Sequence, residues 1–368
     1  MRRTGAARLS AIIALLLSAL FAVPGTAYAQ GALAPDKASD TLSSYSLRCK
    51  LVVLCPYSEE VWTTFQAAVA GKPGDEYLLG VYLITGDKVG RDEHGGLQWL
   101  AIAASQGYAT AALELNRQRR NGAEMDVDEA RIAAAMRAKA DAGDADAMRA
   151  LSDMYIFGRG VGRDPNEGVR LLRHAADSGS KDAEADLAML MWRGAPGVTP
   201  DHAEAIRWQT RSSGHGNTEA MRILSYWLMD TSSGGKAQPL DSYRWLMRAA
   251  LLDDPDAQEK LSGLFTAGLD IEGRPIRPAN SDPIYRLAPA QTVLIAPDLV
   301  QADKWFRLAA RNPWHDNPQI RASIEPHMTT AQLDEAKRLV AGWHALPLPE
   351  VLAIDIQPPA ATGQRTSQ

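Results

Sequence analysis

The strongest constraint on this chain is a glycine that returns at a nearly fixed interval and brings its neighbours with it. Gly71, Gly107, Gly143, Gly179 and Gly216 stand 36, 36, 36 and 37 residues apart. The clearest interval runs from Gly143 through Ala147, Leu151, Tyr155, Gly158, Gly160, Val161, Asp164, Gly168 and Leu171 to Ala175-Ala176 and Gly179. Self-similarity at a period of roughly 20–50 residues marks a row of supersecondary units, none able to bury its apolar face alone. A core then grows by stacking neighbours, so a length of 368 residues does not translate into a count of globular domains.

Each unit reads as two helices. The first carries apolar residues four apart, as in Ala147, Leu151 and Tyr155, or Ala183, Leu187 and Met191, which lines one helical face. A glycine turn follows, and Asp92, Asp164 or Asp201 then opens the second helix, where a carboxylate satisfies free amides. The second helix places a large residue four before two small ones: Trp99 before Ala103-Ala104, Leu171 before Ala175-Ala176, Trp208 before Ser212-Ser213, Trp245 before Ala249-Ala250, and Trp305 before Ala309-Ala310. The small pair is expected to admit the next hairpin, with the tryptophan filling the wider gap beside it. The recurring glycine closes the second helix in the left-handed conformation.

These spaced positions resemble the Sel1-like repeat family, relatives of the tetratricopeptide repeats, over residues 58–311. The resemblance implies an all-α fold, a right-handed α-solenoid of helix-turn-helix repeats. Departures are specific. The unit 107–143 has Ala135 where the tryptophan belongs, and the unit 216–254 loses the turn pattern. The sixth unit keeps Ala257, Leu261, Phe265 and Gly268, then breaks for an insertion, 269–297, before resuming at Asp298. Residues 312–344 read as capping helices and 345–368 as a disordered tail.

The N-terminal 1–29 read as a secretory signal peptide: Arg2, Arg3 and Arg8, an apolar run from Leu9 to Val23, Pro24-Gly25, and Ala27-Tyr28-Ala29 as the cleavage site. Residues 30–57 read as a flexible lead. The expected location is therefore across the inner membrane, in the periplasm, with no integral membrane segment after cleavage. An uncleaved membrane anchor is the alternative, against which the apolar run is shorter than the roughly 20 residues a spanning helix needs. Losing Arg2, Arg3 and Arg8 from 39 basic residues leaves 36 against 44 acids, a balance that argues against nucleic acid as a partner. Cys49 and Cys55, the only cysteines, are expected to pair as a disulfide in an oxidising compartment.

No pattern for chemistry emerges. His94, His174, His202, His215, His315, His327 and His344 show no metal-ligand spacing, and no nucleophile elbow or phosphate-binding glycine loop is present. Gly158-Arg-Gly160-Val161-Gly162 follows a helix rather than a strand and reads as a turn. No catalytic residue, metal or cofactor is assigned. Binding remains, and Tyr82, Trp192, Tyr226 and Trp227, with Arg149 and Arg222 as charged companions, are candidate anchors on the first helices. The competing reading is that the same residues pack against neighbouring repeats. The expected function is a non-enzymatic scaffold or regulator with protein partners in the bacterial cell envelope. A cell-wall glycan or peptide-ligand binder is the alternative, and a hydrolase a weaker one.

Overall fold

A computed structural model describes residues 59–231, 236–275 and 293–358. The signal segment, Cys49 and Cys55, most of the insertion and the last ten residues lie outside the described residues. The described chain is helical almost throughout. Helix α1 (Glu59–Val69) comes first. Hairpins follow as α2 (Pro73–Thr85) with α3 (Glu93–Ser105), α4 (Ala109–Arg120) with α5 (Glu129–Asp141), and α6 (Ala145–Phe157) with α7 (Pro165–Asp177). Next come α8 (Lys181–Arg193) with α9 (His202–Gly214), α10 (Thr218–Trp227) with α11 (Pro239–Leu251), and α12 (Pro255–Ala267) with α13 (Leu299–Ala309). Each hairpin packs on its neighbours in sequence, the arrangement of an all-α repeat solenoid.

The recurring glycine is a joint between hairpins. Gly71, Gly107, Gly143, Gly179 and Gly216 all have φ between 81° and 90°. In the last three cases the next residue caps the following helix: Asp144 accepts from Ala147 N, Ser180 from Ala183 N and Asn217 from Ala220 N. At the sixth joint Asp253 takes the glycine's place with φ 69°, and Asp254 caps α12. Gln258, fully buried, donates to Asp253 Oδ1 at 3.0 Å and so holds this residue in a conformation it does not favour.

The small pairs on the second helices behave as their spacing predicts. Ala103, Ala104, Ala175, Ala176, Ser212, Ser213, Ala249 and Ala250 are all fully buried. The tryptophans before them are placed differently from the expectation. Trp99, Trp208 and Trp245 are only half-buried, and Arg211 and Arg248 cover Trp208 and Trp245 at 5.2 and 4.7 Å from the ring centroids. The residue after each is the one turned inward: Leu100, Gln209, Leu246 and Phe306, with Met136 and Leu172 at the same place in the other units. Trp305 alone is itself fully enclosed. A step of about 100° per residue separates a rim position from a core position, so the tryptophan seals the edge of each layer.

One first-helix position is buried in all six units: Glu76, Ala112, Met148, Glu184, Met221 and Gln258. Where it is polar it has partners. Gln106 Nε2 reaches both Glu76 oxygens at 2.8 and 2.9 Å. Arg211 Nε and His215 Nδ1 lie 2.6 and 2.9 Å from the Glu184 carboxylate. Burial pushes the Glu76 carboxyl above its ordinary value, against the hydrogen bond from Gln106.

The insertion begins and ends as a short antiparallel pair, β1 (Leu269–Asp270) and β2 (Val293–Ile295), with Leu269 opposite Ile295. Asp270 is fully buried and accepts from Glu272 N, Arg274 N and Arg274 Nε. Beyond α13, α14 (Pro318–Ile324) and α15 (Thr330–Ala341) close the array. Thr329 and Gln332 form a reciprocal capping box at the start of α15.

The expected tail differs from the structure over residues 345–358. Leu346 N donates to Leu251 O at 3.0 Å. Helix α16 (Leu348–Ala353) packs on α11, and Val351 and Ile356 are buried. Arg244 Nε donates to Ile356 O at 3.1 Å. The segment is ordered because its few apolar residues, spaced through prolines, find a groove that only the folded array provides.

Candidate interaction surface

The first helices are tied to one another by polar links that recur at close to the repeat interval. Arg120 on α4 meets Asp153 on α6 at 3.0 Å, and Arg159 meets the same carboxylate at 3.1 Å. Burial raises the Asp153 carboxyl above its ordinary value, against the pull of both arginines. Arg149 on α6 reaches Asp186 on α8 at 2.8 Å, Asp146 at 2.8 Å and Asp182 at 3.9 Å. Burial works against the Arg149 charge, but Asp186 and Asp146 outweigh it and hold its pKa above the ordinary value. Asn217 at the start of α10 donates to Asp182 at 3.2 Å. Arg222 on α10 then bridges Asp254 at 3.1 Å and Asp256 on α12 at 3.0 Å.

The ladder ends on the 3-10 turn Pro313–His315 that follows α13. His315 Nδ1 lies 2.7 Å from Glu259 Oε2, and its Nε2 lies 3.9 Å from Asp256 Oδ1. Asn312 accepts from Trp314 N at 3.1 Å and sets the turn. The result is that Trp314 stands 94% exposed. Tyr226, one helical turn beyond Arg222 on α10, is 69% exposed. Arg222 and His315 both reach Asp256 on α12, so the elements that carry the two aromatics are each tied to α12.

The six sequence-predicted anchors fall into different settings. Tyr82 lies on α2, where its Oη donates to Glu60 Oε1 at 3.0 Å and Lys88 Nζ sits 4.9 Å above its ring. Arg149 and Arg222 are ladder members. Trp192 stacks on Trp227 with centroids 4.2 Å apart and planes 5° from parallel, and on His202 at 4.3 Å. His202 Nε2 also lies 3.2 Å from the Trp192 carbonyl. Trp227 is buried, so this stack joins α8, α9 and α10. Tyr226 alone among the six projects into solvent as a large aromatic. Trp314 was not among them. Its signal was present in the sequence as a tryptophan outside the repeat frame, within Asn312-Pro313-Trp314-His315.

Arg149 is 14% exposed at its side chain, whereas Asp146, Asp182 and Asp186 around it are 47%, 52% and 47% exposed. Arg222 is likewise more enclosed than Asp256 beside it, at 21% against 48%. At these two places the arginine lies behind acids that face outward, whereas at the α4–α6 link the order is reversed, with Arg120 51% exposed and Asp153 16%. Among the described residues no cluster of histidine, cysteine or acids has the geometry to hold a metal ion.

Fold and surface together define a helical-repeat protein whose first helices from α4 to α12 are linked in series by polar contacts. Sel1 repeats occur at four places in the chain: the Sel1 repeat family matches residues 75–108, 145–180, 181–217 and 294–313. The gaps between these matches contain the units 107–143 and 216–254, whose departures are visible in the sequence. A Sel1 repeat protein from Oxalobacter formigenes is similar over 59% of this chain and 88% of its own, at 24% identity and a TM-score of 0.40. A protective antigen of uropathogenic Escherichia coli strains, displaying an SLR fold, covers 90% of this chain and 82% of its own at 21% identity and a TM-score of 0.27. An immunity protein from Pseudomonas aeruginosa covers 80% and 90% at 15% identity and a TM-score of 0.36. No curated protein matches the sequence. No described helix is long and apolar enough to cross a membrane.

Proposed function

We propose that this chain is a non-enzymatic protein-interaction scaffold of the bacterial cell envelope, and that its partner presents basic and apolar side chains to the first-helix face. Sel1 repeats generally mediate contacts between proteins. The observation that carries the reading is the strip from Tyr226 and Arg222 through Asp256 to His315 and Trp314. Exposed aromatics are the side chains that dominate binding energy at protein interfaces, and the outward acids around them supply a charge preference. Arg222, paired with Asp254 and Asp256, lies one helical turn from Tyr226, and His315, bonded to Glu259, follows Trp314 in sequence. Such a mixed apolar and polar surface suits a protein better than a glycan, which favours aromatic platforms along a groove. The periplasmic location rests on the N-terminal segment alone.

The test is capture from an envelope fraction with the protein as bait, compared with the double variant Tyr226→Ala, Trp314→Ala. A partner retained by the wild type should be held more weakly by the variant, since an interface anchor is worth about 2 kcal/mol or more, roughly thirtyfold in affinity. Recovery of glycan or small ligands alone, or equal capture by the variant, would refute the proposal.

A further inference from the structure

The helices that close the array border an open, solvent-facing cavity that the repeats do not explain. It measures about 400 Å³, and Arg307, Arg311, Arg321 and Lys337 line it against one acid, Asp316. Asp303, Glu325 and Asp334 also pair with these cations from around the concavity, so the charge the site can offer a ligand comes down to Arg311 and the weakly paired Lys337.

Two of the four are already engaged. Arg307 Nε lies 2.7 Å from Asp303 and its Nη2 lies 2.5 Å from Glu325. Arg321 lies 2.8 Å from Asp316, with its guanidinium 5.5 Å above the Phe306 ring. Both also stand in the last turns of α13 and α14, where a cation offsets the helix dipole. The other two have weaker reasons to be there. Arg311 donates to Val340 O at 3.1 Å and lies 5.2 Å above the Trp343 ring, and no carboxylate among the described residues pairs with it. Lys337 has a single acid at 3.7 Å, Asp334, and both side chains are more than half exposed. It precedes the last turn of α15, whose terminal cation is Arg338.

A guanidinium has five N–H donors in a planar fork. With one of them on Val340, Arg311 keeps enough to grip an oxyanion through two oxygens, the geometry at which arginine excels. We propose that this cavity binds a multiply charged phosphate group, held by Arg311 and Lys337 and further attracted by Arg307 and Arg321. The proposal is independent of the scaffold reading, because it concerns the cap and not the first-helix face. The phosphate can belong to a soluble solute or to a lipid headgroup, and the same two residues would hold either.

Titration calorimetry with pyrophosphate at constant ionic strength tests the soluble source. Sedimentation with phosphatidic acid vesicles, whose phosphomonoester can carry two charges, against phosphatidylcholine vesicles, tests the headgroup. Saturable binding in either arm is expected, weakened about tenfold by Lys337→Gln and again by Arg311→Gln, the lower end for hydrogen bonds to charged groups. Lys181→Gln, an exposed cation outside the cap, should leave it unchanged. Binding of pyrophosphate assigns a soluble ligand; binding of acidic vesicles alone, lost in the same variants, assigns a headgroup. Absence of saturable binding in both arms overturns the proposal, and so does equal weakening by Lys181→Gln. Should Arg311→Gln unfold through loss of its tie to Val340, shown by its circular dichroism melt, Lys337→Gln decides the matter alone.

Discussion

Two glycines of similar backbone conformation should respond very differently to the same substitution. Gly143, a joint between hairpins, has φ 90°, and a Cβ there would meet nothing within 4 Å. Gly160, in the turn between α6 and α7, has φ 62°, but a Cβ there would overlap the carbonyl of Glu129 and sit 2.7 Å from Ala130 N. Those atoms are main chain at the start of α5 in the preceding unit, so no side chain can swing aside. For Gly143→Ala the left-handed backbone costs about 1–2 kcal/mol, and the stiffer unfolded chain returns about 0.4–1 kcal/mol. A net loss of about 1 kcal/mol is expected. Gly160→Ala carries the same backbone terms plus the overlap, which forces the turn away from α5 at about 1–3 kcal/mol. The expected total is about 3 kcal/mol. Urea denaturation followed by circular dichroism measures both, with the slope compared because a repeat array can unfold in segments. Destabilisation of the two variants within about 0.5 kcal/mol of each other would refute the wedge between units.

The remaining predictions concern burial and surface. Ala176→Leu, at a fully buried small position, should lower stability by about 1–3 kcal/mol through overpacking, and an unchanged denaturation midpoint would count against close helix contact there. Glu76→Met places at this site the residue found at Met148 and Met221. The raised Glu76 pKa means this group stabilises the fold most below its unfolded pKa and loses that contribution as pH rises through the raised folded value. The variant should therefore gain about 1 kcal/mol at pH 7 and less near pH 4, and a variant weaker than wild type at pH 7 would show that the Gln106 pairing outweighs burial. Trp314→Ala should leave stability within about 0.5 kcal/mol, whereas Trp227→Ala, which removes the stack between units, should cost about 3–5 kcal/mol. Thermal melts of the pair compare them directly.

The features legible in the sequence are those set by local rules. A left-handed joint favours glycine, which fills five of the six joints, and Asp92, Asp164 and Asp201 do accept from the first free amides of their helices. The small pairs were legible because their spacing repeats in several copies. What lay beyond reach depends on helical phase and on distant neighbours. Trp208 and Leu246 differ by one position in their units, yet one lies at the rim and the other in the core. Arg149 looked like a surface anchor because Asp182 and Asp186, which enclose it, belong to the next unit. Trp314 stands outside the repeat frame, which singles out only residues that recur, and its exposure is set by the turn after α13. The segment 345–358 has too little periodicity to announce its own order, which comes from the groove beside α11.

That returning segment alters how the array must assemble. Most contacts here join units adjacent in sequence, and closing short loops is rapid. Arg244 and Ile356 are 112 residues apart, and Ile356 belongs to the same buried cluster as Tyr243, Phe265, Trp305 and Ile324. The cluster around Leu100, Leu151 and Leu187 can form as soon as its own hairpins exist. The second cluster cannot close until nearly the whole chain has been made, so its apolar faces stay open longest. A chain cut short before Ile356 would carry a finished first half and an unsealed second, and the unsealed half is where aggregation of nascent or truncated protein would begin.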